Sequence, residues 1–378
     1  MDSPFSYGKV AFEDTFTDRE SDRKKLSENI KNHVNTILIS PRRWGKSSLM
    51  KQLGKEMMQQ DKLVRFCHLD LFAVRSEDDF FRMYTNTVLR SLGTKMDELL
   101  AEISEVASGI APFLSLSMGT DNEFKLGIDM RAAKDFPEEI LQLPERLAKK
   151  RGLRPVVCLD EFQNLSSFSD PIAFQKLLRS VWQHHSLTTY CLYGSKRSMM
   201  TEMFTRRAKP FYRFGEVHFL KKIAEVDWIP FIIKRFASTG RTITAESAQR
   251  LTRLMECHPY YVQQISHHLW TITPEHGTVE PEMEQRALEL MLSSNAILYE
   301  RETEGLRSQQ IGLLLAIANH EARLTSADVI ARYRLGSSAY ATRMKKTFED
   351  RELIDTLEGK PEFVDPVFRM WLLRRFAE

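Results

Sequence analysis

Apolar and polar residues follow a pattern that predicts strands separated by helices over the first 220 residues. Short apolar runs predict five strands, at 36–40, 63–72, 154–160, 188–195 and 216–220. Several segments between them carry apolar residues three or four positions apart, the spacing of a helix that buries one face. Strands that alternate with helices favour an α/β fold in which helices cover a parallel sheet.

The pattern changes in the second part of the chain. From about residue 223 to about residue 301 only helical spacings occur. From residue 309 to the C-terminus the sequence predicts three helices, a hairpin with a Gly-Lys-Pro tip and a last helix. The stretch 108–127 has weak signals and is expected to be the least regular part of the first domain. Three domains are therefore predicted.

Composition narrows the class of protein only slightly. The 378 residues are 42% hydrophobic and 28% charged, and the net charge of +3 neither requires nor excludes a nucleic-acid partner. No apolar run approaches the length of a membrane span, and the N-terminus has no apolar signal core, so no membrane partner is expected. The scattered cysteines favour reduced thiols and a cytoplasmic location. They are Cys67, Cys158, Cys191 and Cys257.

The segment 37–50, ILISPRRWGKSSLM, predicts a strand and a helix joined by a phosphate-binding loop. It matches the pattern G-x-x-x-x-G-K-[ST] except that Ser40 stands at the first glycine. In such loops backbone N–H groups converge on phosphate oxygens, the lysine (here Lys46) reaches the β- and γ-phosphates, and the hydroxyl (Ser47) ligates Mg²⁺. The alternative is a chance Gly-Lys-Ser turn, which the flanking strand and helix make unattractive.

An acidic pair follows the third predicted strand. In VVCLDEF, four apolar residues run directly into Asp160 and Glu161. Beside a phosphate-binding loop, the first acid holds Mg²⁺ and the second carboxylate orients and deprotonates the attacking water. The alternative is that the pair caps the next helix.

The fourth predicted strand, in YCLYGSKRSMM, ends at Gly194 and Ser195. If this strand lies next to the strand of the phosphate-binding loop, Ser195 points at the γ-phosphate and its water. Serine is also common at the start of a helix, so a capping role for Ser195 is an equal alternative.

These three motifs, in this order, resemble those of the AAA+-like P-loop ATPases, in particular the archaeal-ATPase group related to the STAND signalling ATPases. The resemblance covers nearly the whole chain. SPRRWGKSSL is similar to the Walker A motif, VVCLDEFQNL to Walker B and YGSKRSMM to the sensor-1 strand and turn. FTDRESD resembles an N-terminal Arg-Glu motif, KPFYRFGEVHFL an arginine-bearing segment, CHPYYVQQISHHLW a lid motif and FVDPVFRMWL the closing motif of a winged helix.

The resemblance implies that ATP and Mg²⁺ bind where a core meets a helical lid, and that hydrolysis is coupled to domain movement. It divides the chain into a P-loop core with an adenine-side N-terminal segment (1–222), an all-α lid (223–300) and a winged helix (301–378). It also implies that the sensor-1 strand lies between the Walker A and Walker B strands. The residues assigned to the nucleotide are Arg19, Ser40, Pro41, Arg42, Arg43, Trp44, Gly45, Lys46, Ser47, Ser48 and Pro259.

The motifs and the resemblance together assign Glu161, Ser195 and Arg213 to catalysis, and Ser47 and Asp160 to the metal. Arg213 is preferred as an arginine finger by resemblance alone. The other candidates are Arg42, Arg43, Arg206 and Arg207. The chain departs from the family at Ser40 and at Cys257, where glycines are common. Neither change removes a catalytic group, so slow turnover is expected rather than an inactive site.

The third helix of the C-terminal segment carries Arg343, Lys345 and Lys346. Such a helix in a winged-helix domain can lie in a DNA major groove. Nearby acidic residues leave only a modest basic patch, so packing on the ATPase core or binding to a protein is the alternative.

These features predict an ATP-binding, ATP-hydrolysing switch that acts with a protein partner or by self-assembly. One alternative is a DNA-associated ATPase anchored by its winged helix. Another is a signalling scaffold that binds nucleotide with little turnover. A metabolic enzyme is the least favoured class, because no second catalytic constellation appears.

Overall fold

The first half of the chain forms a parallel sheet in this computed structural model. The structure describes residues 2–11, 15–17, 19–93, 105, 109, 112, 114–118, 124–128, 136–356 and 359–376. The sheet strands are β1 (Thr36–Ile39), β2 (Val64–Asp70), β5 (Arg154–Asp160), β6 (Thr189–Gly194) and β7 (Glu216–Phe219), in the order β2-β5-β6-β1-β7. The sensor-1 strand β6 thus lies between the Walker A strand β1 and the Walker B strand β5, which confirms the implied order.

Burial explains why these strands read as continuous apolar runs. Every residue of β1 and β6 is buried, as expected for strands of a parallel sheet with both faces covered. The surrounding helices are α1 (Glu20–Lys31), α2 (Lys46–Gln60), α3 (Glu77–Leu92), α4 (Pro137–Arg151), α5 (Pro171–Trp182) and α6 (Arg197–Thr205). Two 3₁₀ segments, Leu71–Ala73 and Phe162–Ser167, follow directly after β2 and β5.

The described residues of the stretch 108–127 include a hairpin that the sequence did not predict. An antiparallel hairpin pairs β3 (Leu114–Met118) with β4 (Phe124–Ile128). The hairpin was not predicted because its two short strands lack the long apolar runs that mark the parallel sheet. The expectation that 108–127 is the least regular part of the first domain stays a prediction. Most other positions of this stretch lie outside the described residues.

The second half of the chain is helical up to a short hairpin. Its elements are α7 (Glu225–Ala237), α8 (Ala245–Leu254), α9 (Pro259–Ile272), α10 (Pro281–Thr303), α11 (Ser308–Ala318), α12 (Ala327–Arg332), α13 (Ser338–Asp350), β8 (Ile354–Asp355), β9 (Glu362–Phe363) and α14 (Pro366–Phe376). The last six elements follow the predicted order of three helices, a hairpin and a terminal helix. Large buried side chains such as Trp228, Phe236, Phe348 and Phe368 form its core.

The chain divides into two compact units with separate apolar cores. One unit comprises residues 19–42 and 46–221, and the other comprises residues 1–18, 43–45 and 222–378. Residues 43–45 of the Walker A loop thus group with the C-terminal half of the chain. The three domain boundaries inferred from the resemblance stay a prediction.

Three of the cysteines lie inside the sheet unit as free thiols. Cys67, Cys158 and Cys191 are buried and unbridged, as predicted, although Cys158 and Cys191 occupy paired positions of β5 and β6. Among the described residues, no helix is long and apolar enough to cross a lipid bilayer.

Candidate active site

The Walker A loop joins β1 to α2 and is organised around Lys46. Ser40 is fully buried, and its backbone lies outside the left-handed region, so this position does not need a glycine. The Lys46 ammonium donates to the carbonyl oxygens of Ser40 and Pro41, each at 3.0 Å, and to the Ser40 hydroxyl at 3.3 Å. The serine that replaces the glycine is therefore compatible with the loop and adds a contact to its lysine.

Two later residues of the loop have left-handed backbone conformations. Gly45, with φ of 92°, adopts a conformation that only glycine takes readily, whereas Arg43 adopts φ of 64° despite its side chain. The Arg43 guanidinium lies 4.6 Å from the centre of the Tyr260 ring and donates to the Tyr261 hydroxyl at 3.4 Å. Trp44 makes an edge contact with the ring of His258. Arg43 and Trp44 are thus held by side chains at the start of α9.

At the end of β5, Asp160 accepts a hydrogen bond from the Ser47 hydroxyl at 2.5 Å and one from the backbone N–H of Glu161 at 2.9 Å. Burial is the largest influence on Asp160 and raises its pKa to about 6, and the charge of Glu161 acts in the same direction. The bond from Ser47 and the charge of Lys46 oppose this rise. The pKa of the Asp160 carboxyl is therefore raised chiefly by burial, although the Lys46 charge acts to lower it.

Glu161 directly precedes the 3₁₀ segment and has a left-handed backbone conformation with φ of 52°. This conformation costs a residue with a Cβ on the order of 1 kcal/mol. One of its carboxylate oxygens, Oε2, accepts hydrogen bonds from the Ser195 hydroxyl at 2.8 Å, from the Ser195 N–H at 3.4 Å and from Nε2 of Gln163. The strand order brings these groups together because β5 and β6 are neighbours. The strand order therefore places Glu161 and Ser195 together at the edge of the sheet where the sequence motifs predict the site.

The capping alternatives for these residues find no support in the geometry. Glu161 stands at the N-cap position of the 3₁₀ segment, but its side chain makes no capping bond. The N-cap of α6 is Lys196, and the hydroxyl of Ser195 is directed to Glu161. The side chains of Glu161 and Ser195 face each other across the ends of β5 and β6.

The donor set suits a hard divalent cation. The Ser47 hydroxyl and the Asp160 carboxylate are oxygen ligands, which Mg²⁺ prefers, and the raised pKa of Asp160 means that a nearby cation would favour its charged form. Within the part of the chain that the structure describes, these two side chains are the ligands offered, and Mg²⁺ commonly keeps several waters and substrate phosphate oxygens as its other ligands. The residues therefore fit Mg²⁺ bound together with a phosphate.

Comparison with known proteins identifies the fold. A family model described as "Probable winged helix domain" matches residues 297–374. A Walker-type ATPase of Pyrococcus abyssi is similar over 97% of this chain and 99% of its own, with 17% identity and a TM-score of 0.66. The ORC2 protein of Aeropyrum pernix, solved as ADPNP–ADP complexes, is similar over 100% of both chains, with 12% identity and a TM-score of 0.58. The ADP form of that protein is similar over 100% of both chains, with 14% identity and a TM-score of 0.56.

The fold is that of an AAA+-like P-loop ATPase with a C-terminal winged helix. A comparison with curated proteins finds no match.

The remaining residues assigned to nucleotide lie at several places in this AAA+-like fold. Arg19 is buried just before α1, where it pairs with Asp22 at 3.3 Å and donates to the Lys221 carbonyl. Pro259 is the first residue of α9. Within the Walker A loop, Pro41 is buried and Arg42 is exposed, and Ser48 is buried in the first turn of α2.

The departure at Cys257 has a structural explanation. Cys257 has φ of 57° in the turn between α8 and α9, and its N–H donates to the Thr252 carbonyl at 2.9 Å. A glycine is common at this position of the lid motif because the left-handed region favours glycine. The cysteine keeps the turn at a cost in strain.

Arg213 does not join the Walker residues. It is exposed in the turn before β7, with φ of 54°, and its guanidinium lies 5.3 Å from the centre of the Tyr212 ring. Of the other arginine-finger candidates, Arg206 pairs with Glu202 at 3.0 Å and Arg207 is exposed. The assignment of Arg213 as a finger stays a prediction.

The proposed DNA-binding residues lie on α13, the third helix of the winged helix. Arg343 and Lys346 are exposed and Lys345 is half-buried. Lys346 pairs with Asp350 at 2.9 Å, so its charge is locally balanced. The helix therefore offers a weaker basic surface than its three basic residues suggest.

Sequence reasoning missed two groups of residues that the structure places in or near the site. Gln163 reaches Glu161, and Tyr261 connects Arg43 to the winged helix through Asp365. The signal for Gln163 was its place two residues after the acidic pair. Nothing in the spacing of Tyr261 and Asp365 indicates that they meet.

Proposed function

We propose that the protein binds ATP with Mg²⁺ and hydrolyses it, and that it acts as a molecular switch. The observation that carries the proposal is the convergence of Lys46, Ser47, Asp160, Glu161 and Ser195 at the carboxyl ends of β1, β5 and β6. Ligands of open parallel sheets bind at this edge. The similar ORC2 protein was solved with ADPNP and ADP, which supports nucleotide as the ligand class.

Each residue has a distinct task in this proposal. Lys46 neutralises the β- and γ-phosphates, and the loop N–H groups orient them. Ser47 and Asp160 hold Mg²⁺, which when bound neutralises charge on the phosphate oxygens. Glu161 orients the attacking water and accepts its proton, and Ser195 fixes the Glu161 carboxylate.

The switch part of the proposal rests on contacts within the C-terminal unit. Tyr261, which receives the hydrogen bond from Arg43, is itself hydrogen-bonded to Asp365, directly before α14. Asp365 also accepts a bond from the Tyr299 hydroxyl at 3.0 Å, and burial, the largest influence, raises the pKa of Asp365. A phosphate that draws Arg43 away from Tyr261 would remove one member of this network. A change of bound nucleotide would thereby change the hydrogen bonds of Asp365 at the start of the last helix of the winged helix.

Between the two classes of partner, an exposed apolar face favours protein. On α10, Leu290, Ile297 and Leu298 are 41%, 66% and 55% exposed, and their spacing of seven and eight residues places them on one side of the helix. The α13 helix, by contrast, balances part of its basic charge. We therefore favour a protein partner or self-assembly over DNA, and cytoplasmic location stays a prediction.

The proposal is tested by ATP binding with Lys46→Ala and a matched control, Lys51→Ala, which removes an exposed lysine from the same helix. Calorimetric titration with Mg·ATP should show binding by the wild type and by Lys51→Ala, and loss of at least 100-fold in affinity for Lys46→Ala. Hydrogen exchange in residues 338–376 should change on ATP addition only in the variants that bind.

Two results would count against the proposal. Equal affinity in Lys46→Ala and Lys51→Ala would reject the site. Normal ATP binding without any change of exchange in the winged helix would reject the switch while leaving the nucleotide site in place.

A further inference from the structure

We propose that Gln163 is a positioning residue that fixes the Glu161 carboxylate through its side-chain amide, and that Gly194 is required to leave room for that amide. This inference rests on the proposed ATP hydrolysis, for which Glu161 orients the water. Gln163 and Gly194 lie outside the set of residues already assigned to catalysis. We expect them to affect the rate of ATP turnover and not the affinity for nucleotide.

The hydrogen bonds at Glu161 are confined to one of its oxygens. Gln163 Nε2 and the N–H and hydroxyl of Ser195 all donate to Oε2. Among the described residues no hydrogen bond is made to Oε1. A carboxylate held at one oxygen from two sides keeps its other oxygen in a fixed direction, ready to accept a proton from water.

The support for Gln163 is rigid. The residue is 2% exposed, and the preceding Phe162 is fully buried, where it contacts the rings of Phe204 and Phe211. The turn itself is closed by a bond of 2.9 Å from the Asn164 N–H to the Glu161 carbonyl. Gln163 therefore reaches back to Glu161 from an anchored segment.

Gly194 is needed for space and not for its backbone conformation. Its φ lies outside the left-handed region, so an alanine would fit the backbone. A Cβ added there would lie 1.9 Å from Oε1 of Gln163 and 2.9 Å from the sulfur of Met200. The methionine can move, but a glutamine that is buried and hydrogen-bonded cannot make way without releasing Glu161.

Of the two polar atoms of the Gln163 side chain, only Nε2 has a hydrogen-bond partner among the described residues. Its Oε1 is buried with no hydrogen-bond donor among the described residues, an arrangement that burial disfavours. A methionine would fill the same volume without an unpaired oxygen. The hydrogen bond from Nε2 to Glu161 accounts for a glutamine at this position.

The test is a double-mutant cycle on ATP turnover with Gln163→Met, which keeps the volume and removes the donor, and Gly194→Ala. Each single change should lower kcat by about 10-fold or more while KM for ATP stays within about twofold. In the double variant the two losses of kcat should not multiply. The Gln163 amide is already absent there, so the alanine at position 194 has no hydrogen-bonded amide to displace. Gln175→Met is the matched control, since Gln175 is an equally buried glutamine on α5 and should keep the wild-type kcat.

The outcomes separate the inference from the proposal beneath it. If the wild type hydrolyses ATP and Gln163→Met keeps the wild-type kcat, the inference fails and the ATPase stands. Losses that multiply in the double variant would overturn the role of Gly194. If Gln163→Met and Gln175→Met lower kcat equally, the effect is one of packing and the inference is wrong. A wild type without turnover would remove both the function and the inference.

Discussion

Two acidic sites in the sheet unit, one buried and one half-buried, differ in the hydrogen-bond donors that meet their charge. Glu145, on α4, is 4% exposed and accepts backbone bonds from Ser186 at 3.1 Å, Leu187 at 3.1 Å and Thr188 at 3.0 Å. These donors lie directly before β6. At the opposite, carboxyl end of the strands, Asp160 accepts hydrogen bonds from a serine hydroxyl and one N–H among the described residues, and a second carboxylate follows it in the sequence.

The protonation behaviour of the two sites differs accordingly. Burial alone would raise the pKa of Glu145, but the bonds from 186–188 outweigh it and hold the pKa at about 2. Burial dominates at Asp160 and raises its pKa to about 6. Among the described residues, the fold thus gives more hydrogen-bond donors to the carboxylate that it uses for structure than to the one proposed to bind a cation. Ionisable groups with a shifted pKa are typical of functional sites.

The largest effect on stability is expected at Glu145. Glu145→Gln places a carboxamide N–H group against backbone donors and should lower the free energy of unfolding by about 3 kcal/mol at pH 7. Because the pKa of Glu145 is lowered in the folded protein, this difference should be complete above about pH 4.5 and shrink as the pH falls towards 2. Chemical denaturation at several pH values measures it. A difference that does not vary with pH would contradict the account of Glu145.

A smaller effect of opposite sign is expected at Asp160. The raised pKa means that the ionised carboxyl disfavours the folded state, so stability from this group is present below about pH 4 and is lost as the pH rises through about 6. A rise of about two pKa units corresponds to about 3 kcal/mol at roughly 1.4 kcal/mol per unit, and an asparagine loses one of the two hydrogen bonds that Asp160 accepts. Asp160→Asn should therefore stabilise the nucleotide-free protein by about 2 kcal/mol above pH 7. Thermal unfolding of both proteins at pH 4.5 and pH 7.5 tests this. A destabilised variant at pH 7.5 would remove the contrast with Glu145.

The candidate site is easier to recognise in the sequence than the Glu145 site is. Asp160, Glu161 and the Walker A loop stand at the ends of apolar strands, where a polar residue is conspicuous. Glu145 lies within an amphipathic helix, where its ion pair with Lys149 at 3.3 Å follows ordinary helical spacing. The backbone N–H groups that bind it are 41–43 residues away and leave no trace in side-chain spacing.

Contacts that depend on a particular turn were also invisible in the sequence. The reach of Gln163 to Glu161 requires the left-handed backbone at Glu161, and the tie between Arg43 and Tyr261 requires the left-handed conformation of Arg43. Such conformations are rare for these residue types, so no pattern predicts them. The hairpin β3–β4 was missed because its strands are short.

The most direct test of the central claim is a single-turnover measurement of ATP hydrolysis by the wild type and Glu161→Gln. If the acidic pair Asp160–Glu161 is built for hydrolysis, both proteins will bind ATP with similar affinity, and the variant will hydrolyse it about 100-fold or more slowly, the scale of a lost general base. Equal rates in the two proteins would contradict the claim.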